Sequence, residues 1–172
     1  MGFLLIIILW IVGVCLYKDY VRKKIEDEIN NIVVNSPGML ISNRKDALDH
    51  MWDILMPIHL SLKCEALVVI YLDSMNKVID TDVRFGDRSS VSYPTDEIIS
   101  NVKDRNAKKI VLGHNHPNNY TKPSDQDVYH CSCLYVNALS ENIDLMDDLV
   151  VCGIQLKSIT NTRRFKQMVK AY

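Results

Sequence analysis

The chain has 172 residues, 24% of them charged, and a formal net charge of −1. That balance suits a globular domain and excludes the basic footprint of a direct nucleic-acid binder. Five cysteines, an odd number with no CxxC pair, read as reduced thiols rather than a disulfide framework. Residues 2–17, GFLLIIILWIVGVCLY, carry no charge. As a helix they would extend about 24 Å, near the lower limit for a bilayer core. Trp10, Tyr17 and Tyr20 would serve as interfacial anchors. The expectation is a transmembrane anchor over residues 1–17. A cleaved signal peptide would want a positive leading region and a small-x-small site, and neither is present. A lipoprotein site at Cys15 is a near miss, because Val14 stands where a small residue belongs. A buried core helix is the remaining alternative. Lys18, Arg22, Lys23 and Lys24 follow the apolar run, so the positive-inside bias predicts a single-pass protein with its C-terminal domain in the cytoplasm.

Residues 18–38 read as a juxtamembrane helix and linker. Val21, Ile25, Ile29, Ile32 and Val33 keep helical spacing, and the breaker NSPG closes the segment at residues 35–38. The domain proper is expected over residues 39–172. A helix capped by Asn43 should bury Ala47, Leu48, Met51, Trp52, Ile54 and Leu55, and Pro57 should end or kink it. EALVVIYLD, residues 65–73, is a continuously apolar strand of the kind covered on both faces. SMNK turns it into a hairpin with VIDTDVRF, and GDRSSVSYP is loop. Thr95 should cap a helix to about Asn106. KKIVLG is a short central strand, and Ser124 starts a helix to about Ser140. IDLMDDLVVCG gives one or two strands, and TNTRRFKQMVKAY a final helix. The order α-β-β-α-β-α-β-(β)-α predicts an α/β fold, a mixed sheet flanked by helices.

The chemistry concentrates in VLGHNHPNNYTKPSDQDVYH, residues 111–130. Side chains two apart on a strand share a side, so His114 and His116 can converge on one ion. Asn118 to Thr121 belong to a loop long enough to reverse direction. Asp127 then falls in the first turn of the helix that Ser124 opens. Two imidazoles, one carboxylate and an open fourth position make a catalytic zinc site rather than a closed structural one. The same donor set also permits iron, manganese or nickel. Other readings stand beside this one. Ser124-x-x-Asp127 is also a capping box, a bare HxH is weak, and His130 could compete as a ligand. Cys131-Ser-Cys133 could bind metal, although small helix thiols are the simpler reading.

HNHPNNYTKPSDQD resembles the JAMM metalloprotease pattern, His-x-His-Pro, six residues, then Ser-x-x-Asp. More closely it resembles the RadC branch of that superfamily, with His114, Asn115, His116, Pro117, Pro123, Ser124 and Asp127 in register. CEALVVIYLDSMNKVID, YPTDEIISNVKDRNAKKIVLGHNHP and LMDDLVVCG extend the likeness over about residues 42–153. Tyr93, Thr95, Asp148 and the pair Asn118-Asn119 depart from the family pattern. These departures bear on substrate recognition and on the surroundings of the ligands.

The resemblance implies a JAB/MPN domain with a cytidine-deaminase-like layered fold. It implies one Zn2+ ion held by His114, His116 and Asp127, and a metal-activated water that hydrolyses an amide bond in a protein or peptide substrate. Glu65 would be the general base and then acid, with Glu97 as the fallback, and Ser124 would donate to the developing oxyanion. Asn115 should point away from the ion and make structural hydrogen bonds. The alternative function is a non-catalytic module associated with DNA repair, without direct nucleic-acid contact. A zinc deaminase shares the layered fold, but its H-x-E and P-C-x-x-C signature is missing.

Overall fold

The computed structural model describes residues 2–88, 90–117 and 122–171, with side chains from residue 7 onward. The first element, α1 (Gly2–Asn35), is one continuous helix. Its second half carries the spaced apolar residues inward: Ile25 and Ile29 are buried, with Val21, Ile32 and Val33 packed beside them. Its first half leaves Leu9, Trp10, Leu16 and Tyr17 exposed.

The structure overturns the expected transmembrane anchor. Among the described residues, no helix is long and apolar enough to cross a membrane. Residues 7–17 are the uncharged stretch with described side chains, about 16 Å of helix against a core of about 30 Å. Lys18, Asp19, Arg22, Lys23 and Lys24 follow within the same helix, so any longer window takes in several charges. The single-pass membrane localisation with a cytoplasmic domain loses its basis with the anchor. Of the expected span, Met1 and the side chains of residues 2–6 lie outside the described residues.

Helix α2 (Arg44–Ser61) begins where the Asn43 side chain accepts from the Lys45 and Asp46 amides. Pro57 lies inside α2 and does not end it. A proline leaves the carbonyl four residues earlier without its partner; here that residue, Asp53, is exposed, so water can take the bond. A hairpin follows, β1 (Ala66–Leu72) and β2 (Val78–Phe85). Helix α3 (Thr95–Asp104) starts at Thr95, with Pro94 rather than Thr95 at the cap and no side-chain capping bond. Strand β3 (Lys109–Asn115) leads to α4 (Asp125–Ser140), capped by Ser124. The chain then forms β4 (Asp144–Cys152), β5 (Gln155–Ser158) and α5 (Arg163–Met168).

The five strands form one mixed sheet in the order β2-β1-β3-β4-β5, with β3 and β4 parallel and the other pairs antiparallel. Helix α4 makes the crossover between the parallel pair, as a parallel connection requires. Helices cover both faces, which is why β1 is apolar throughout. Val69 and Tyr71 face the layer of α3, α4 and α5, where Ile98, Val102, Leu134 and Phe165 pack. Ala66, Val68, Ile70 and Leu72 face α1 and α2, against Ile29, Met51, Ile54 and Leu55. Strand β3 divides the same way: Ile110 and Leu112 join the first layer and Val111 the second. Gly113 belongs to the α2 face, where a Cβ would stand 2.5 Å from the Met51 sulfur.

Candidate metal centre

The alternation of the strands places the site. His114 continues the parity of Ile110 and Leu112, so it emerges on the α3/α4 face at the C-terminal end of β3. Asp148 on β4 shares that face, and Glu65 precedes β1 with the parity of Leu67 and Val69. Helix α4 lies on the same side, and its first turn brings Asp127 to the strand end.

The geometry is close. The Nε2 atoms of His114 and His116 are 3.1 Å apart. Asp127 sets one carboxylate oxygen 3.4 Å from His114 Nε2 and the other 3.2 Å from His116 Nε2. Glu65 Oε1 is 4.0 Å from His116 Nε2. Ligand atoms of Glu65, His114 and His116 all lie within 4.8 Å of one another. Both histidines and Glu65 are buried. Glu65, His114 and His116 thus form a group able to hold a divalent cation, and Asp127 stands beside both histidines.

The capping box and the site coincide. Ser124 Oγ accepts from the Asp127 amide at 3.1 Å, and Asp127 Oδ2 accepts from the Ser124 amide at 2.6 Å. The cap orients the carboxylate, so the structural and the ligating readings of these residues are compatible. Asn115 turns away from the histidines. Its carboxamide accepts from the Ala66 amide at 2.8 Å and donates to the Cys64 carbonyl at 3.0 Å. Residues Asn118, Asn119, Tyr120 and Thr121, expected as a reversing loop, lie outside the described residues.

Electrostatics follow from the crowding of acids around imidazoles. Burial alone would raise the pKa of Asp127, but hydrogen bonds with His114 and His116 hold it well below the usual carboxylate range. Burial alone would lower His114, yet its bond to Asp127 and the charges of Asp148, Asp127 and Glu65 leave it raised. Glu65 is pushed up by burial. Burial also takes Asp148 up to about 6, against the opposing pull of His114 and a bond from the Cys131 thiol.

Glu65, His114, Asp127 and Asp148 line a cleft of about 400 Å³, walled by Leu67, Leu112, Ile98 and Leu134 and reached by His130, Tyr93 and Thr95. Glu97 is drawn elsewhere, paired with Arg84 at 2.6 Å. Asp148 was read from the sequence only as a departure from a pattern. The structure adds that it is buried in the cleft wall beside His114. Its signal was two adjacent acids inside an apolar strand, where one must face each layer. Cys131 and Cys133 both lie in α4.

The RadC-like JAB domain matches residues 41–164 of the chain. The chain belongs to the RadC-like JAB domain family. RadC-like relatives include a UPF0758 protein of Fusobacterium nucleatum, 32% identical over 66% of this chain and 44% of its own length. Another, from Staphylococcus aureus, is 30% identical over 67% of this chain and 51% of its own length. A third, from Pseudoalteromonas translucida, is 30% identical over 54% and 42% respectively. The chain thus spans about half the length of the curated relatives it matches. The RadC-like match contains the whole candidate centre, from Glu65 to Asp148.

Proposed function

We propose that the chain is a metal-dependent hydrolase of the JAMM metalloprotease type, cutting an amide bond in a protein or peptide with one zinc ion. The observation that carries this reading is the clustering of His114, His116, Asp127 and Glu65 within about 4 Å of one another's imidazole nitrogens, at a cleft that Glu65, His114 and Asp127 line. His114, His116 and Asp127 are the ligands in this reading, as the JAMM likeness implies, which leaves Glu65 as the base; Glu65, His114 and His116, whose ligand atoms lie within 4.8 Å of one another, are the rival set. The N/N/O set suits zinc, and three protein ligands leave the open position that catalysis needs. When bound, zinc acidifies a water to a pKa of about 7 and polarises a carbonyl.

The chain's own groups supply the remaining steps. Glu65 takes a proton at its carboxylate and delivers it to the leaving amine, a role favoured by its raised pKa. The Ser124 oxygen accepts from the Asp127 amide, so its own O–H remains available to donate to a developing oxyanion. The apolar residues of the cleft wall, Leu67, Ile98, Leu112 and Leu134, would seat the side chains that flank the bond.

Elemental analysis of the zinc-loaded chain, as wild type and as His116→Ala, tests the centre. We expect one zinc per chain in the wild type and its loss in the variant. Equal trace metal in both would refute the site. Glu65→Gln should retain the metal and lose hydrolysis of a mixed peptide and isopeptide library; retained turnover would reassign the base.

A further inference from the structure

The β1–β3 ladder ends at the pair Leu67 and His114. One residue further, where Asn115 stands opposite Ala66, a side chain takes over from the backbone. The Asn115 carboxamide accepts from the Ala66 amide and donates to the Cys64 carbonyl. Those two groups flank Glu65 on either side. Asn115 itself is fully buried.

Among the described residues, the Glu65 carboxylate accepts no hydrogen bond, and its Oε1 stands 4.0 Å from His116 Nε2. Its place is therefore set by its main chain. One edge of that main chain is tied to the end of the hairpin, through Glu65 N–H to the Asp87 carbonyl at 2.7 Å and Gly86 N–H to the Glu65 carbonyl at 2.8 Å. The other edge is tied by Asn115.

We infer that Asn115 is the positioning residue of Glu65: by gripping the backbone on both sides, it fixes where that carboxylate stands relative to the two histidines it separates. The inference rests on the proposed role of Glu65. It makes the segment His114-Asn115-His116 a single device, whose alternate side chains face the ion and whose middle one holds the base. Partners of this indirect kind are worth about 10- to 100-fold in activity or metal affinity when removed. Here the loss should fall on the base and spare metal affinity.

The test uses the full chain. Crystal structures of metal-free Asn115→Leu and Asn115→Asp are compared with the wild type. In Asn115→Leu, the Glu65–His116 separation should open well beyond 4.0 Å while the two Nε2 atoms stay near 3.1 Å. Asn115→Asp keeps an acceptor for the Ala66 amide and should open less; it also serves if the leucine variant does not fold, any opening supporting the inference. Glu65 unmoved in the variant that folds overturns it.

A second readout separates positioning from plain stability. With Co2+ as the probe metal, visible absorption is followed against pH in the wild type, Glu65→Gln and the charge-neutral Asn115→Leu, or Asn115→Ser if the leucine variant does not fold. We expect the Asn115 variant to keep one Co2+ per chain and to displace the pH midpoint in the same direction as Glu65→Gln. A midpoint identical to the wild type, with Glu65→Gln displaced, overturns the inference. If the wild type takes up no Co2+, the proposed function falls, and the crystallographic comparison alone decides the role of Asn115.

Discussion

Ser124 and Asp127 each donate a backbone amide to the other's side chain, and the carboxylate so held faces both His114 and His116. Ser124→Ala removes one of these bonds and should cost about 1 kcal/mol of stability, read from denaturant midpoints. The Ser124 amide still reaches Asp127, so zinc affinity measured by calorimetry should fall less than tenfold. A hydrolytic loss on the order of 100- to 1,000-fold, with zinc content intact, would mark the hydroxyl as an oxyanion donor. A loss no larger than the stability change would confine it to the cap.

Asp148 makes the metal-free chain sensitive to pH. Its carboxyl is pushed up to about 6 by burial, from an ordinary 3.8. The folded state keeps that proton to higher pH than the unfolded state does. The stability it contributes is therefore present below about pH 4 and is lost as pH rises through 6. Asp148→Asn should be more stable than the wild type at pH 7 by roughly 2 to 3 kcal/mol, the gap closing toward pH 4. Urea melts across that range, with chelator present, measure it; parallel pH curves for the two proteins would show that Asp148 is not the source.

Gly113 leaves no space for a methyl group on the α2 face. Its Cβ would lie 2.5 Å from Met51 Sδ and 2.8 Å from Met51 Cγ. Met51 is fully buried, so it cannot swing into solvent. Gly113→Ala should cost about 1 to 3 kcal/mol by overpacking. Combined with Met51→Ala, the two costs should sum to less than their separate values, and a double-mutant cycle by denaturation reads the coupling. Strict additivity would mean that α2 shifts as a body instead.

Ile29 tests whether α1 belongs to the folded unit. It is 1% exposed, set among the side chains of the α2 layer. Ile29→Ala should destabilise the chain by about 2 to 5 kcal/mol. A change within about 0.5 kcal/mol, as at an ordinary surface position, would mean that α1 does not dock in solution.

Much of this fold could be read from residue patterns because local rules and tertiary packing agree. β1 is apolar on both parities since both faces are covered, and Asn43 and Ser124 cap the helices that their side chains predict. The approach of His114, His116 and Asp127 followed from strand parity and one helical turn. Where expectation failed, a distant contact or a local exposure decided. Pro57 does not end α2, where the residue whose carbonyl it frees, Asp53, is exposed, and Thr95 loses the cap to its neighbour Pro94. The apolar residues at the start of α1 suited a bilayer in composition, but their run within the described side chains is too short. Asp147 and Asp148 look alike in sequence. One anchors Ser158, Thr160 and Arg44 at 2.7, 2.5 and 3.0 Å, and the other faces the cleft. Only the sheet's neighbours tell them apart.

The division of β3 between two layers limits how this protein can change. Replacing one of its side chains disturbs one layer. Adding or deleting a single residue between positions 109 and 113 would invert the strand beyond that point, turning His114 toward α2 and Asn115 toward the cleft. Drift in this segment is thus confined to exchanges at fixed length, and the distance in sequence from Lys109 to His116 is as much a part of the centre as the imidazoles themselves.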